Sequence, residues 1–269
     1  LALCARRTDA LEALRTELLA KHPGIRVEVR ALEVNDHDAV FAVFKDFDAT
    51  LGGLDRVIVN AGMGKGAGLG TGHFEANRQT AMTNFVAALA QCEAALELFR
   101  ARKAGHLVMI SSFSAYRGFP RAMTTYAATK AAVANLAEGI RAELINSPIK
   151  VSTIYPGYID SDINRHVKSR PFVIDTDAGC RALVAAIERE PATANVPRWP
   201  WAAGRSISEW NAPPYERPCA RSEAIRTDGE RRSTTMDCFV GIASRNDGGE
   251  ATAHRTSHGA APELNCHAR

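Results

Sequence analysis

Two rhythms alternate along residues 1–201. Short stretches rich in apolar residues, as strands require, are separated by longer stretches whose apolar residues recur every third or fourth position, as on one face of a helix. The runs at 1–5, 25–34, 54–59, 106–112 and 150–155 predict strands, and 194–196 a short edge strand. Helices are predicted over 9–20, which has an Asp cap candidate, and over 36–51, 75–102, 125–144 and 175–188, with 160–167 a short flexible one. In the second helix Val40, Phe41, Phe44 and Phe47 fall toward the core, and in the last Ala182, Leu183, Ala186 and Ile187 do. The helix over 75–102 is apolar on more than one side through 85–99, which predicts burial against both the sheet and a second subunit. Regular alternation of strand and helix, joined by right-handed crossovers, predicts an α/β fold with a doubly wound, Rossmann-like, mostly parallel sheet.

The texture changes after the segment Pro-Arg-Trp-Pro-Trp at 197–201. Over 202–269 large aliphatic residues thin out, lysine vanishes while arginine persists, and Gly, Ser, Thr, Pro and Asp are strewn without period. Such a segment buries too little to offset its chain entropy, so it reads as a low-order or disordered tail behind a catalytic domain at 1–201. A reading-frame change and an ordinary disordered tail both fit this texture. The start at Leu1, inside an apolar run, reads as that of a fragment.

Composition narrows the class. A net charge of +3, with scattered basic residues and few aromatic ones, gives no reason to expect nucleic acid as a partner. Six cysteines without CxxC or zinc-type spacing argue for reduced thiols in the cytoplasm and against a metal centre or disulfide framework. No run of about 20 apolar residues is present to span a membrane, and the start carries no signal-peptide layout.

The chemistry gathers at 111–130. Tyr126 and Lys130 lie four apart, and on a helix they share a face, so the ammonium can stabilise a phenolate and bring the phenol's proton into use. Ser111 and Ser112 close the apolar strand before it, where a hydroxyl can bond the same substrate oxygen. Serine, tyrosine and lysine together suit carbonyl reduction. The glycine-rich stretch at 61–72 is not a phosphate loop: Lys65 is followed by Gly66 where a Walker motif needs Ser or Thr. It reads as a loop beside the substrate mouth.

The strand ending in two serines, the loop with Gly118 and Pro120, the Tyr126–Lys130 helix, Asn60-Ala61-Gly62 after a strand, Asn84 in the next helix and Pro156-Gly157 after a later strand follow one another in an order that resembles the short-chain dehydrogenase/reductase family. The resemblance spans roughly 1–201 and implies an NAD(P)-dependent oxidoreductase of alcohols or carbonyls. It implies Tyr126 as general acid/base and Lys130 as its activator and holder of the nicotinamide ribose. Ser112 is the substrate-positioning hydroxyl, one residue further from Tyr126 than the family's usual spacing, with Ser111 and Ser114 as lesser candidates. Asn84 supports a proton relay to the lysine. Asn60, Ala61 and Gly62 let the backbone approach the cofactor. Pro156, Gly157 and Ile159 wall the nicotinamide, and Ser161 meets its carboxamide or phosphate.

At the end of the first strand Arg6 and Arg7 stand where NAD users of the family place an acid, which predicts NADP(H) over NAD(H). Glu33, followed by Val34, takes the position that faces the adenine. The family's opening strand and TGxxxGxG turn do not occur in the sequence, which predicts that the two strands meant to flank that strand close on each other, gape or stay unpaired. Two function classes follow: an oxidoreductase acting on a small alcohol or carbonyl, as a homodimer or homotetramer through its long helices, or a catalytically silent fragment using the same helix-pairing surface.

Overall fold

A computed structural model describes residues 1–161, 164, 167 and 170–198, with the backbone of 235–236 and 242–243. In chain order the elements are β1 (Ala2–Ala5), α1 (Thr8–Lys21), β2 (Glu28–Ala31), α2 (His37–Leu51), β3 (Arg56–Val59), β4 (Gly62–Met63), α3 (Phe74–Ala81), a π-helical turn (Met82–Val86), α4 (Ala87–Arg102), β5 (His106–Ile110), a 3-10 turn (Phe113–Tyr116), α5 (Met123–Glu143), β6 (Lys150–Pro156), α6 (Thr176–Glu188), β7 (Thr193–Val196), β8 (Thr235–Met236) and β9 (Ile242–Ala243). The predicted tail at 202–269 lies outside the described residues except at β8 and β9. Half of the predicted helix at 160–167 lies outside them too.

Capping sets several of these bounds. The Asp36 side chain accepts a hydrogen bond from the Ala39 amide at 3.1 Å and Asp175 accepts one from Ala178 at 2.8 Å, so each satisfies an otherwise orphaned N–H at a helix start. Gly52 closes α2 in the left-handed conformation, φ 75°. No aspartate caps α1: it begins at Thr8 with Arg7 in the cap position, and Asp9 sits in the first turn instead, at the positive end of the helix.

The main sheet runs β2-β1-β9-β3-β5-β6-β7. β1 pairs parallel with β2, and β3, β5, β6 and β7 pair parallel in succession. Strand lengths follow the partner rather than the apolar run: the predicted strand at 25–34 is paired only over Glu28–Ala31, because the four residues of β1 give it no more to bond. The slot between β1 and β3 neither gapes nor closes. β9 occupies it, antiparallel to both, with Ile242 opposite Ala2 and Val57 and Ala243 opposite Arg56.

One core lies between the sheet and α2, α4 and α5, around Phe44, Phe47, Phe99, Leu107 and Met109. Phe41, expected in it, is only partly buried against it. α4 is apolar on two sides, and within the chain it packs against α2 as well as the sheet. α6 closes the other face, with Ala186 and Ile187 buried against Val108, Ile154 and Val196.

Candidate active site

Parallel strands bring their carboxyl ends to one edge of the sheet, where open α/β folds bind ligands. Arg6 follows β1, Glu33 and Val34 follow β2, Asn60, Ala61 and Gly62 follow β3, Ser111 and Ser112 follow β5, and Pro156 and Gly157 end β6. The topology thus gathers on one edge residues far apart in sequence.

Tyr126 lies in the first turns of α5 and Lys130 one turn on. The Lys130 ammonium is 6.0 Å from the centre of the Tyr126 ring. Lys130 is only 5% exposed, and its Nζ donates to the carbonyl oxygen of Ile110 at 2.9 Å. A buried ammonium needs such acceptors. Ser111 ties the same two elements together, its hydroxyl donating to the Lys130 carbonyl at 2.8 Å. The lysine is therefore fixed to the end of β5 at both its side chain and its backbone.

Asn84 sits inside the π turn, where the Ala87 amide reaches back five residues to Met82. Such turns interrupt an α-helix with one extra residue and often mark functional positions. Its buried side chain pairs with the backbone of Met63: Oδ1 accepts from the Met63 amide at 2.7 Å and Nδ2 donates to the Met63 carbonyl at 3.0 Å. Nδ2 also donates to Thr129 Oγ1 at 3.1 Å, and Thr129 donates to the Tyr126 carbonyl at 2.7 Å. Thr129 thus links Asn84 to the turn that carries Tyr126. The sequence marks it only by its place directly before Lys130.

Ser112 is 6% exposed and stands in the cap position of the 3-10 turn. Its Oγ accepts from the Ser114 amide at 3.2 Å and from the Ser114 hydroxyl at 3.0 Å. Ser111, by contrast, spends its proton on the Lys130 carbonyl. Phe113 lies 5.3 Å from Tyr158 and 5.9 Å from Phe119, centre to centre, and burial raises the Tyr158 phenol's pKa.

At the outer end of the edge, Arg6 lies 3.5 Å from Glu33, both partly exposed, and Glu33 accepts from the Asn35 amide and side chain at 3.1 and 2.8 Å. Arg7 is exposed at the start of α1. Val34 packs against the core. Ser161 turns back on its own segment, its hydroxyl donating to the Ile159 carbonyl at 3.2 Å. Ile159 fills the space beside Gly179, where an added Cβ would come within 2.5 Å of it.

A second polar cluster lies at the opposite edge. His106 Nδ1 accepts from Arg56 Nε at 2.9 Å, and Nε2 lies 2.8 Å from Ser152 Oγ. The Ser152 proton goes to the Pro191 carbonyl, so Nε2 carries the imidazole proton and donates it. Arg56 also bonds Glu188 at 2.6 Å and Glu190 at 3.1 Å, and Lys150 pairs with Glu190. Burial and the Arg56 charge push the His106 pKa down to about 4, and Lys150 holds the Glu190 carboxyl below its usual range. Among the described residues no His, Cys, Asp and Glu cluster is arranged to hold a metal, and no helix is long and apolar enough to cross a membrane.

Two stretches of the carboxyl edge could hold a nicotinamide cofactor. Small residues at 60–62 pass in front of Asn84 and Lys130, where a Cβ on Gly62 would lie 3.4 Å from both Asn84 Oδ1 and Lys130 Nζ. Arg6 and Arg7 offer exposed guanidinium groups at the other end.

A sequence profile described as "short chain dehydrogenase" matches residues 1–171. An uncharacterized oxidoreductase of Mycobacterium tuberculosis (strain ATCC 25618 / H37Rv) is 52% identical over 202 residues, which cover 75% of this chain and 80% of that one. One of Myxococcus xanthus (strain DK1622) is 33% identical over 193 residues, 71% of this chain and 75% of its own. In fold the chain is similar to a short-chain dehydrogenase from Streptomyces avermitilis, with a TM-score of 0.64, 24% identity and coverage of 77% and 85%. It is also similar to an alcohol dehydrogenase from Thermococcus sibiricus complexed with 5-hydroxy-NADP, with a TM-score of 0.63, 22% identity and coverage of 72% and 83%. The chain belongs to the short-chain dehydrogenase family, a family of NAD(P)-binding oxidoreductases.

Proposed function

We propose that this chain interconverts a small alcohol and a carbonyl with NADP(H), and that Tyr126 is its acid and base. The observation that carries the reading is the buried Lys130 ammonium, held by the Ile110 carbonyl one helical turn from Tyr126 and 6.0 Å from its ring. The bound cofactor supplies or accepts the hydride at the substrate carbon. In reduction the Tyr126 phenol gives its proton to the carbonyl oxygen, which leaves a phenolate facing the ammonium. Ser112 donates a hydrogen bond to the same oxygen as negative charge develops there. Lys130 holds the nicotinamide ribose, with Asn60, Ala61 and Gly62 beneath it, and Pro156, Gly157 and Ile159 wall the ring. Ser161 stands near its carboxamide, and Asn84 keeps the proton path behind Lys130 in place.

Arg6 and Arg7 favour NADP over NAD, because a guanidinium pairs with a 2′-phosphate in a bidentate way. Glu33 and Val34 border the adenine side. Two proteins of similar fold are complexed with NADP or its 5-hydroxy form, the gluconate 5-dehydrogenase from Burkholderia cenocepacia J2315 and the Thermococcus sibiricus alcohol dehydrogenase, which is in keeping with this choice. The buried Cys92 thiol, in no disulfide, accords with a cytoplasmic setting. A second reading, a catalytically silent chain, draws on the sequence, in which the family's TGxxxGxG turn, with its helix amino terminus for a pyrophosphate, does not occur.

Fluorescence titration separates the two. NADPH binding tighter than NADH supports the oxidoreductase; no binding of either at millimolar concentration overturns it in favour of the silent chain.

A further inference from the structure

Ser112 Oγ has two lone pairs and one proton, and both lone-pair sites are taken by one neighbour. The Ser114 amide donates to it at 3.2 Å and the Ser114 hydroxyl at 3.0 Å. The first contact is an ordinary helix cap, which any residue at 114 except proline can make. The second needs a hydroxyl, and Ser114 is fully buried, so no water competes for it. With its acceptor capacity filled from the protein side, the Ser112 hydroxyl has only its proton left to offer.

We infer that Ser114 is a positioning residue that makes Ser112 a donor rather than an acceptor toward the reacting oxygen. The inference rests on the reading of Ser112 given above. The polarity matters because the substrate oxygen gains negative charge when hydride arrives at its carbon, and a hydroxyl that accepts at that moment would oppose the charge. Ser114 touches neither substrate nor cofactor; it sets the direction of the one hydrogen bond that does.

Two measurements test this, one of them independent of turnover. In the first, amide hydrogen exchange is followed in Ser112→Ala. The Ser114 amide loses its acceptor and exchanges at least about tenfold faster. The Ala115 amide, which bonds the Ser112 backbone carbonyl at 3.0 Å, keeps its protection and reports that the turn is intact. An unchanged Ser114 amide overturns the geometric half of the claim. In the second, kcat and KM for NADPH-dependent carbonyl reduction are compared in a double-mutant cycle. Ser114→Ala lowers kcat about tenfold in the parent, Ser114→Thr restores it, and Ser114→Ala has no further effect in Ser112→Ala. An equal loss in both backgrounds overturns the positioning role. Absence of all turnover in the parent rejects the oxidoreductase reading itself and with it the role given to Ser114, while the exchange result still reports whether Ser112 Oγ accepts from the Ser114 amide.

Discussion

The side-chain amide of Asn84 pairs with the backbone of Met63 as one peptide group pairs with another, accepting from its amide at 2.7 Å and donating to its carbonyl at 3.0 Å. The pairing joins the π turn to β4, in the segment that leaves β3 beside Lys130, so it holds the floor of the candidate site. It also explains why an asparagine tolerates a helix interior here: its competing hydrogen bonds are spent on another segment.

Replacing it exposes the cost. Asn84→Ala leaves buried polar groups of Met63 short of a partner and lowers unfolding free energy by about 3 kcal/mol. Urea denaturation of the two proteins measures this, and a loss below about 1 kcal/mol contradicts the assigned pairing.

Two glycines have opposite expectations. A Cβ at Gly66 would lie 2.4 Å from the backbone oxygen of Ala122, which cannot rotate away. Gly66→Ala therefore destabilises by about 1–3 kcal/mol and pushes the 61–72 loop from the start of α5. Gly139, exposed within α5, has nothing within 4 Å of an added Cβ, so Gly139→Ala stabilises by about 1 kcal/mol. Thermal melting distinguishes the two signs.

The His106 cluster predicts an acid-sensitive fold. The imidazole's folded pKa of about 4 lies below its ordinary 6.5, so below pH 6.5 the unfolded chain takes up a proton that the folded chain refuses. Stability from this group is constant above pH 6.5, falls as the pH drops toward 4, and levels off below it; the full change is about 3 kcal/mol. The Glu190 carboxyl, held low by Lys150, adds a further loss as the pH falls through its lowered folded value. Denaturation midpoints across this range measure the slope, and His106→Gln flattens it between pH 6.5 and 4.

The arginines at the outer edge predict cofactor choice. Arg6→Ala combined with Arg7→Ala raises the NADPH dissociation constant about tenfold and leaves that of NADH within a factor of about two. Equal weakening of both cofactors contradicts a role at the 2′-phosphate.

Much of this architecture is legible in the chain. Continuous apolar runs such as 107–110 and caps such as Asp36 and Asp175 act locally, so their signals lie beside the elements they set. The Tyr126–Lys130 spacing is also local, because one helical turn is enough to bring the groups together. The π turn at Asn84 leaves no comparable mark, since its hydrogen bonds differ from those of an α-helix by one residue. β9 is invisible for another reason: two residues carry no period, and their pairing is dictated by the facing edges of β1 and β3. The same holds for the contact of Arg56 and His106 with Glu190, which sheet pairing brings together from three distant segments.

The central claim is that Tyr126 supplies the proton. Its most direct test is the turnover number of Tyr126→Phe for carbonyl reduction, measured alongside NADPH affinity. The account predicts a fall of at least about a hundredfold in kcat, with the NADPH dissociation constant unchanged within a factor of about two. A variant that reduces carbonyls at the parent rate would contradict it.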